Sequence, residues 1–178
     1  MGKKCCFLDI ETTGLSYANR NNIIIAYAIL CGNELHVEIL EDPSKEKELL
    51  SNLLNRLRKC KKVYTYNGAE FDLPYIATMC IRYHLDASVL YKVEHIDVLR
   101  DYVFKKVKLP MRNLDYVAWS LGYSKFDYPI KSMRIPQVWL NYVLNGNSEY
   151  RNYIYMRLKY DVEALKYVAE RLGAYDGD

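Results

Sequence analysis

The hexapeptide Cys6-Phe7-Leu8-Asp9-Ile10-Glu11 sets two carboxylates inside an otherwise apolar run. In an extended strand alternate side chains share a face, so Asp9 and Glu11 project together beside Phe7. Cys6, Leu8 and Ile10 fill the other face. So apolar a strand belongs in the middle of a sheet, where two adjacent carboxylates repel and lose hydration. A divalent cation shared between them removes that cost. The plain alternative is a strand that runs out into solvent at Glu11.

A second carboxylate argument comes from the C-terminal end. Ile154, Leu158, Asp161, Leu165, Val168 and Leu172 recur at alternating spacings of four and three. On a helix these positions form one narrow stripe, and Asp161 takes a place where the pattern calls for a hydrophobe. A charge on such a stripe needs a partner, either a metal ion or a buried Arg or Lys. Asp72, at the start of another helical segment with Pro74 in its first turn, reads locally as an ordinary helix cap. Asp97 reads the same way.

The remaining chain arranges itself around these points. Strands are predicted over Lys4–Glu11, Asn22–Leu30 and Glu34–Leu40, with Cys31-Gly32-Asn33 turning between the last two. Ser44 is placed to cap a helix whose face is Leu49, Leu50, Leu53, Leu54 and Leu57. A strand over Lys62–Tyr66, a helix over Asp72–His84 and a strand over Tyr91–Asp97 follow. Shorter helices are predicted near 98–105, 112–121 and 135–145, and a long one over 149–172. Three meandering strands followed by βαβ units imply a mixed five-stranded sheet with helices on both faces. That α/β order resembles the ribonuclease H-like fold, on one domain spanning 1–178.

Composition bounds the rest. No apolar run is long enough to cross a bilayer, and the N-terminus leads straight into a strand with no room for a signal peptide; a cytoplasmic protein is expected. The five cysteines form no C-x-x-C pair, and reduced, mostly buried thiols are the expectation. Eighteen tyrosines suit residues at the core boundary as well as base stacking. The net charge is only +3, but residues 1–50 carry five basic and eight acidic side chains. Residues 100–134 carry eight basic (Arg100, Lys105, Lys106, Lys108, Arg112, Lys125, Lys131 and Arg134) and three acidic ones. A phosphate-binding surface has that character, and so does a solvated mixed one.

Three stretches in order carry a family resemblance. Phe7-Leu8-Asp9-Ile10-Glu11-Thr12-Thr13-Gly14-Leu15 resembles the first motif of the DEDD exonucleases, which include polymerase proofreading domains. Tyr66-Asn67-Gly68-Ala69-Glu70-Phe71-Asp72 resembles the second, and Tyr160-Asp161-Val162-Glu163-Ala164-Leu165 the third. Asn113-Leu114-Asp115-Tyr116-Val117 and Leu121-Gly122-Tyr123 are similar to the helix before the third motif in family-B polymerase exonuclease domains and their stand-alone relatives. The resemblance implies a metal-dependent 3′–5′ exonuclease hydrolysing phosphodiester bonds of DNA or RNA, with Asp9, Glu11, Asp72 and Asp161 as catalytic metal ligands. Two Mg²⁺ or Mn²⁺ ions would clamp the scissile phosphate. Asp9 would bridge both, Glu11 and Asp161 would complete one shell, and Asp72 would hold the other ion through water. Thr12, Leu15 and Asn67 would approach the terminal nucleotide of a nucleic acid with a free 3′ end, Leu15 by wedging against its base. No membrane partner is implied.

The sequence departs from the family at the general base. Where one branch has Tyr four residues before the last Asp, this chain has Arg157; where another has His five before, it has Met156. Arg157 lies about 40° from Asp161 around the helix. It could contact a scissile phosphate or pair with Asp161, and it is no base near neutral pH. Two other readings therefore stand beside the first: a structure-specific endonuclease on the same fold, and a catalytically impaired nucleic-acid-binding protein. An Asp161 neutralised by a neighbouring guanidinium, or turned away from Asp9, would end the case for a metal centre.

Overall fold

The computed structural model describes residues 4–124 and 134–177. Lys125 and Lys131, counted above in the basic segment, lie outside the described residues. Strand β1 (Lys4–Thr12) takes the centre of a five-stranded sheet. It pairs antiparallel with β2 (Ile24–Cys31), which pairs antiparallel with β3 (Glu34–Ile39). The turn between these two is Gly32-Asn33, with Gly32 at φ 61°, a conformation open to glycine in tight hairpins. A short 3₁₀ turn and α1 (Glu46–Leu57) cross over to β4 (Cys60–Thr65), which lies parallel to β1 on its other side. Asp42 rather than Ser44 does the capping: its carboxylate accepts from the Ser44 N–H at 2.8 Å, and Pro43 opens the 3₁₀ turn.

Helix α2 (Asp72–Tyr83) ends on His84 in the left-handed conformation, and the one-turn α3 (Val89–Lys92) precedes β5 (Glu94–Asp97), parallel to β4. The fifth strand is thus shorter than predicted, because α3 runs through Tyr91 and Lys92, where the strand was expected to begin. A π-turn over Leu99–Val103 runs into α4 (Phe104–Lys106), followed by α5 (Leu114–Ser120), α6 (Ile135–Asn145) and α7 (Ser148–Arg171). The sheet order is β3-β2-β1-β4-β5. Helix α7 packs on β1, β2 and β3, with α5 and α6 against it, while α1 packs on β2 and β4 and against α2. None of the described helices is long and apolar enough to cross a membrane.

The expectation of reduced thiols is corrected at one pair. Cys6 and Cys31 face each other across β1 and β2, Cα to Cα 4.2 Å, and are joined as a disulfide. Cys5, Cys60 and Cys80 are buried thiols.

Glu46 anchors the sheet to its helices. It is fully buried, accepting from the Ile24 N–H at 2.7 Å and from the Tyr83 hydroxyl at 2.6 Å. Burial pushes its pKa up despite these bonds. Glu46→Ala leaves the buried Ile24 N–H and the half-buried Tyr83 hydroxyl without their acceptor and should cost about 2–4 kcal/mol. Urea titration would read this as a lower midpoint; a wild-type midpoint would show that water takes the place of the carboxylate.

Candidate metal centre

The face of β1 that carries Phe7, Asp9 and Glu11 is the face on which α7 lies. Phe7 stacks on Tyr64 and meets Tyr175 edge-on, filling the first position of that row with rings. One step along, the apolar filling stops and the carboxylates begin. A ligand oxygen from each of Asp9, Glu11 and Asp161 lies within 4.8 Å of the other two. At such separations each ionised pair repels by about 3–4 kcal/mol for an effective dielectric near 20.

Asp72 completes the group from the other side. The local reading made it a helix cap, but Phe71 takes the cap position. The Asp72 carboxylate is buried instead against β1 and accepts from the Ile10 N–H at 3.2 Å. It stands outside the group of three, yet close enough that its charge raises the pKa of both Asp9 and Glu11. Burial is the largest cause for all four. Asp9 is pushed up to about 8, with Asp72 as the next contributor. Asp72 is pushed up to about 7. Glu11 and Asp161 are held well above the ordinary carboxylate range, each raised further by Asp9.

Of the two roles open to Arg157, the structure shows the pairing with Asp161. Arg157 is buried, and its guanidinium Nη2 lies 2.7 Å from Asp161 Oδ1, so Asp161 has a cationic neighbour on its own helix. Asp161 nevertheless faces Asp9 and Glu11. The same guanidinium also donates to both oxygens of Asp115, at 3.3 and 3.4 Å. One shared positive charge lowers Asp9, Glu11 and Asp161 without bringing any of them back to the ordinary range. Asp161 Oδ1 is buried against that guanidinium. Hard oxygen donors crowded at this spacing suit a hard divalent cation.

Two further residues carry structural weight here that the sequence did not reveal. Asp115 opens α5 behind the Asn113 cap and anchors Arg157. Asp97 does more than cap the turn after β5, where it accepts from the Leu99 and Arg100 N–H groups. Its two oxygens also accept from Asn67 and Ala69, both at 3.0 Å, fixing the loop that delivers Asp72. Asn67 sits at φ 65°. Gly68 has no room for a side chain, since a Cβ there would come 2.2 Å from Thr65 Oγ1.

The other predicted contact residues lie at the end of β1, in the turn after it and in the loop before α2. Thr12 is buried and its hydroxyl donates to the Gly14 carbonyl at 2.9 Å, a carbonyl that also accepts from Tyr75. Leu15 is 86% exposed, an apolar side chain held out beyond that turn.

A model of the RNase_H superfamily matches residues 6–173. A DNA polymerase of Methanocaldococcus jannaschii is 28% identical over 80 residues, which make up 45% of this chain and 5% of that protein. A family B DNA polymerase from the hyperthermophilic archaeon Pyrobaculum calidifontis superimposes with a TM-score of 0.80 at 15% identity, covering 97% of this chain and 25% of that one. The chain thus spans a small part of either polymerase. The structural match extends over the whole sheet and its helices, and it bears out the fold that the motifs implied.

The raised carboxyls make stability pH-dependent. Unfolded, they titrate near 4; folded, Asp72 and Asp9 keep their protons to about 7 and 8. Between those limits the folded state binds more protons. Metal-free protein should therefore lose stability as pH rises from about 4 to 8. Melts in chelator across this range check it, and Asp9→Asn should flatten the slope. Stability climbing over the same interval would contradict the crowding.

Proposed function

We propose that this chain, which belongs to the RNase_H superfamily, is a metal-dependent nuclease that removes nucleotides from the 3′ ends of nucleic acid. The observation that carries the reading is the meeting of Asp9, Glu11 and Asp161 from a strand and a helix more than 140 residues apart in sequence. Asp72 adds a fourth carboxylate from α2. A structural ion-pair network does not need that many buried acids around one guanidinium.

Asp9, Glu11 and Asp161 would hold one divalent ion, and Asp9 with Asp72 a second. Such ions supply charge neutralisation for the phosphate and lower the pKa of a water. The chain's own residues do the rest. β1 and α7 fix the carboxylates on rigid elements, and the Asp97-bound loop fixes Asp72. Leu15, exposed beside the turn after β1, would press on a terminal base. Arg157, paired with both Asp161 and Asp115, would hold Asp161 in position and face the phosphate. It always carries its proton and takes none from water.

One observation favours a second reading. Arg157 already occupies Asp161, and a protein that binds nucleic acid without cutting it would keep such a pair. End-labelled linear and circular single strands, incubated with Mn²⁺ or Mg²⁺, separate these outcomes. Digestion of linear strands with circles surviving is expected, and Asp9→Ala should reduce it to background. Retained binding with no cleavage would favour the second reading, and cut circles would indicate an endonuclease.

The metal itself has a readout apart from turnover. Millimolar Mg²⁺ or Mn²⁺ should raise Tm, more at pH 8 than at pH 6, because the ions compete with the bound protons. Asp9→Asn should remove most of that rise. An unchanged Tm in the wild-type protein would mean that the carboxylates form no preorganised cation site.

A further inference from the structure

A second cluster of ligating atoms lies on the other side of the sheet. Cys6 alternates with Phe7, Asp9 and Glu11 along β1, so its sulfur points away from the carboxylates. Cys31 faces it from β2. Cys60 opens β4 on the opposite flank of β1, where the ladder shifts register between Lys4 and Cys5. The three sulfurs all lie within 4.8 Å of one another. Cys60 Sγ also lies 3.4 Å from the Arg56 carbonyl at the end of α1. A cavity of about 680 Å³ opens onto the sulfurs. Its rim carries Lys4, Arg56, Arg58 and Lys59 against Glu34.

The ordinary account is a disulfide stapling β1 to β2, with Cys60 a neighbouring core residue. A staple needs two sulfurs, however, and these two strands are already laddered from Cys6↔Cys31 to Thr12↔Ile24. Three sulfurs from three adjacent strands, opening on a cationic cavity, is more than it requires. From this arrangement we infer that Cys6, Cys31 and Cys60, once reduced, form a thiolate site for a thiophilic d¹⁰ cation, Zn²⁺ or Cu⁺, with a remaining position facing the cavity.

The disulfide form cannot bind in this way, so the site is redox-gated. A dithiol reductant opens it by exchange: its two sulfurs end bonded to each other, and Cys6 and Cys31 leave as thiols carrying its two protons. The cation then displaces three protons, one from each cysteine. Sulfurs held at about 2.3 Å from zinc stand roughly 3.8 Å apart, a spacing within the present cluster except for the Cys6–Cys31 pair, which must part. Three thiolates around Zn²⁺ leave one negative charge, and the basic rim offsets it. Soft sulfur donors select these ions, while the oxygen donors on the other face select Mg²⁺ or Mn²⁺. The two centres thus sort cations by hardness.

Titration with Co²⁺ tests the site without reference to nuclease activity. The full chain is reduced with a dithiol, freed of it by anaerobic desalting, and its fold verified by circular dichroism. We expect a sulfur-to-cobalt charge-transfer band in the near ultraviolet that saturates at one ion per chain and is displaced by Zn²⁺. Cobalt on the carboxylates gives no such band, so Asp9→Asn should keep it. Cys60→Ser should weaken binding at least tenfold, and the disulfide form should show no band. In the wild type, stoichiometric Zn²⁺ should protect three of the five thiols from alkylation together, which reads the site even where a variant folds poorly. A reduced chain that unfolds, shows no band, or keeps an equal band in folded Cys60→Ser would overturn the inference.

Discussion

Like charges forced into one buried space are the constraint around which this molecule is arranged. Carboxylates at the spacing of Asp9, Glu11 and Asp161 separate freely when their backbones can move. Here neither backbone can. β1 is laddered on both sides at the centre of the sheet, and α7 is pinned along β1, β2 and β3 by Leu158, Leu165 and Val168. The apolar core fixes where the acids sit, and the acids must then find positive charge or protons. Stability spent in this way marks a site arranged for something other than folding.

Local periodicity made half of this arrangement legible. Alternation along β1 is enough to place Asp9 and Glu11 on one face, and the four–three spacing along α7 is enough to turn Asp161 inward. Asp72 was different. Its local signal described a helix cap, and only the motif around it suggested otherwise; in the fold its carboxylate reaches β1, 62 residues away. The strands and long helices were likewise readable, apart from the fifth strand, whose predicted first two residues, Tyr91 and Lys92, belong to a helical turn.

What stayed illegible depends on pairing between distant segments. Arg157 was seen as a neighbour of Asp161, one helical turn away, but its bonds to Asp115 cross 42 residues. The reach of Asp97 to Asn67 and Ala69 crosses from one strand end to the next. Cys6 and Cys31 meet because of the register of β1 on β2. The connection between those strands runs from Thr13 to Ile23, and a loop of that length leaves the register unspecified by any turn rule. Cysteine spacing alone therefore could not announce the pair.

The Arg157–Asp115 pair also bears on whether an arginine in this position disables the centre. A guanidinium added to four carboxylates would lower the positive charge that the site can accept by one. Asp115 supplies one further negative charge in contact with the same guanidinium, and it raises Asp161 where Arg157 lowers it. Asp9, Glu11 and Asp161 still stay above the ordinary carboxylate range. The phenols nearby do not take over as bases either: burial holds Tyr160 up at about 12 and Tyr123 higher still, so both keep their protons. What this chain gives up at position 157 is thus a group able to take part in proton transfer. What it keeps is the crowding of carboxylates, and under the proposed reading water activation would fall to the cations they hold.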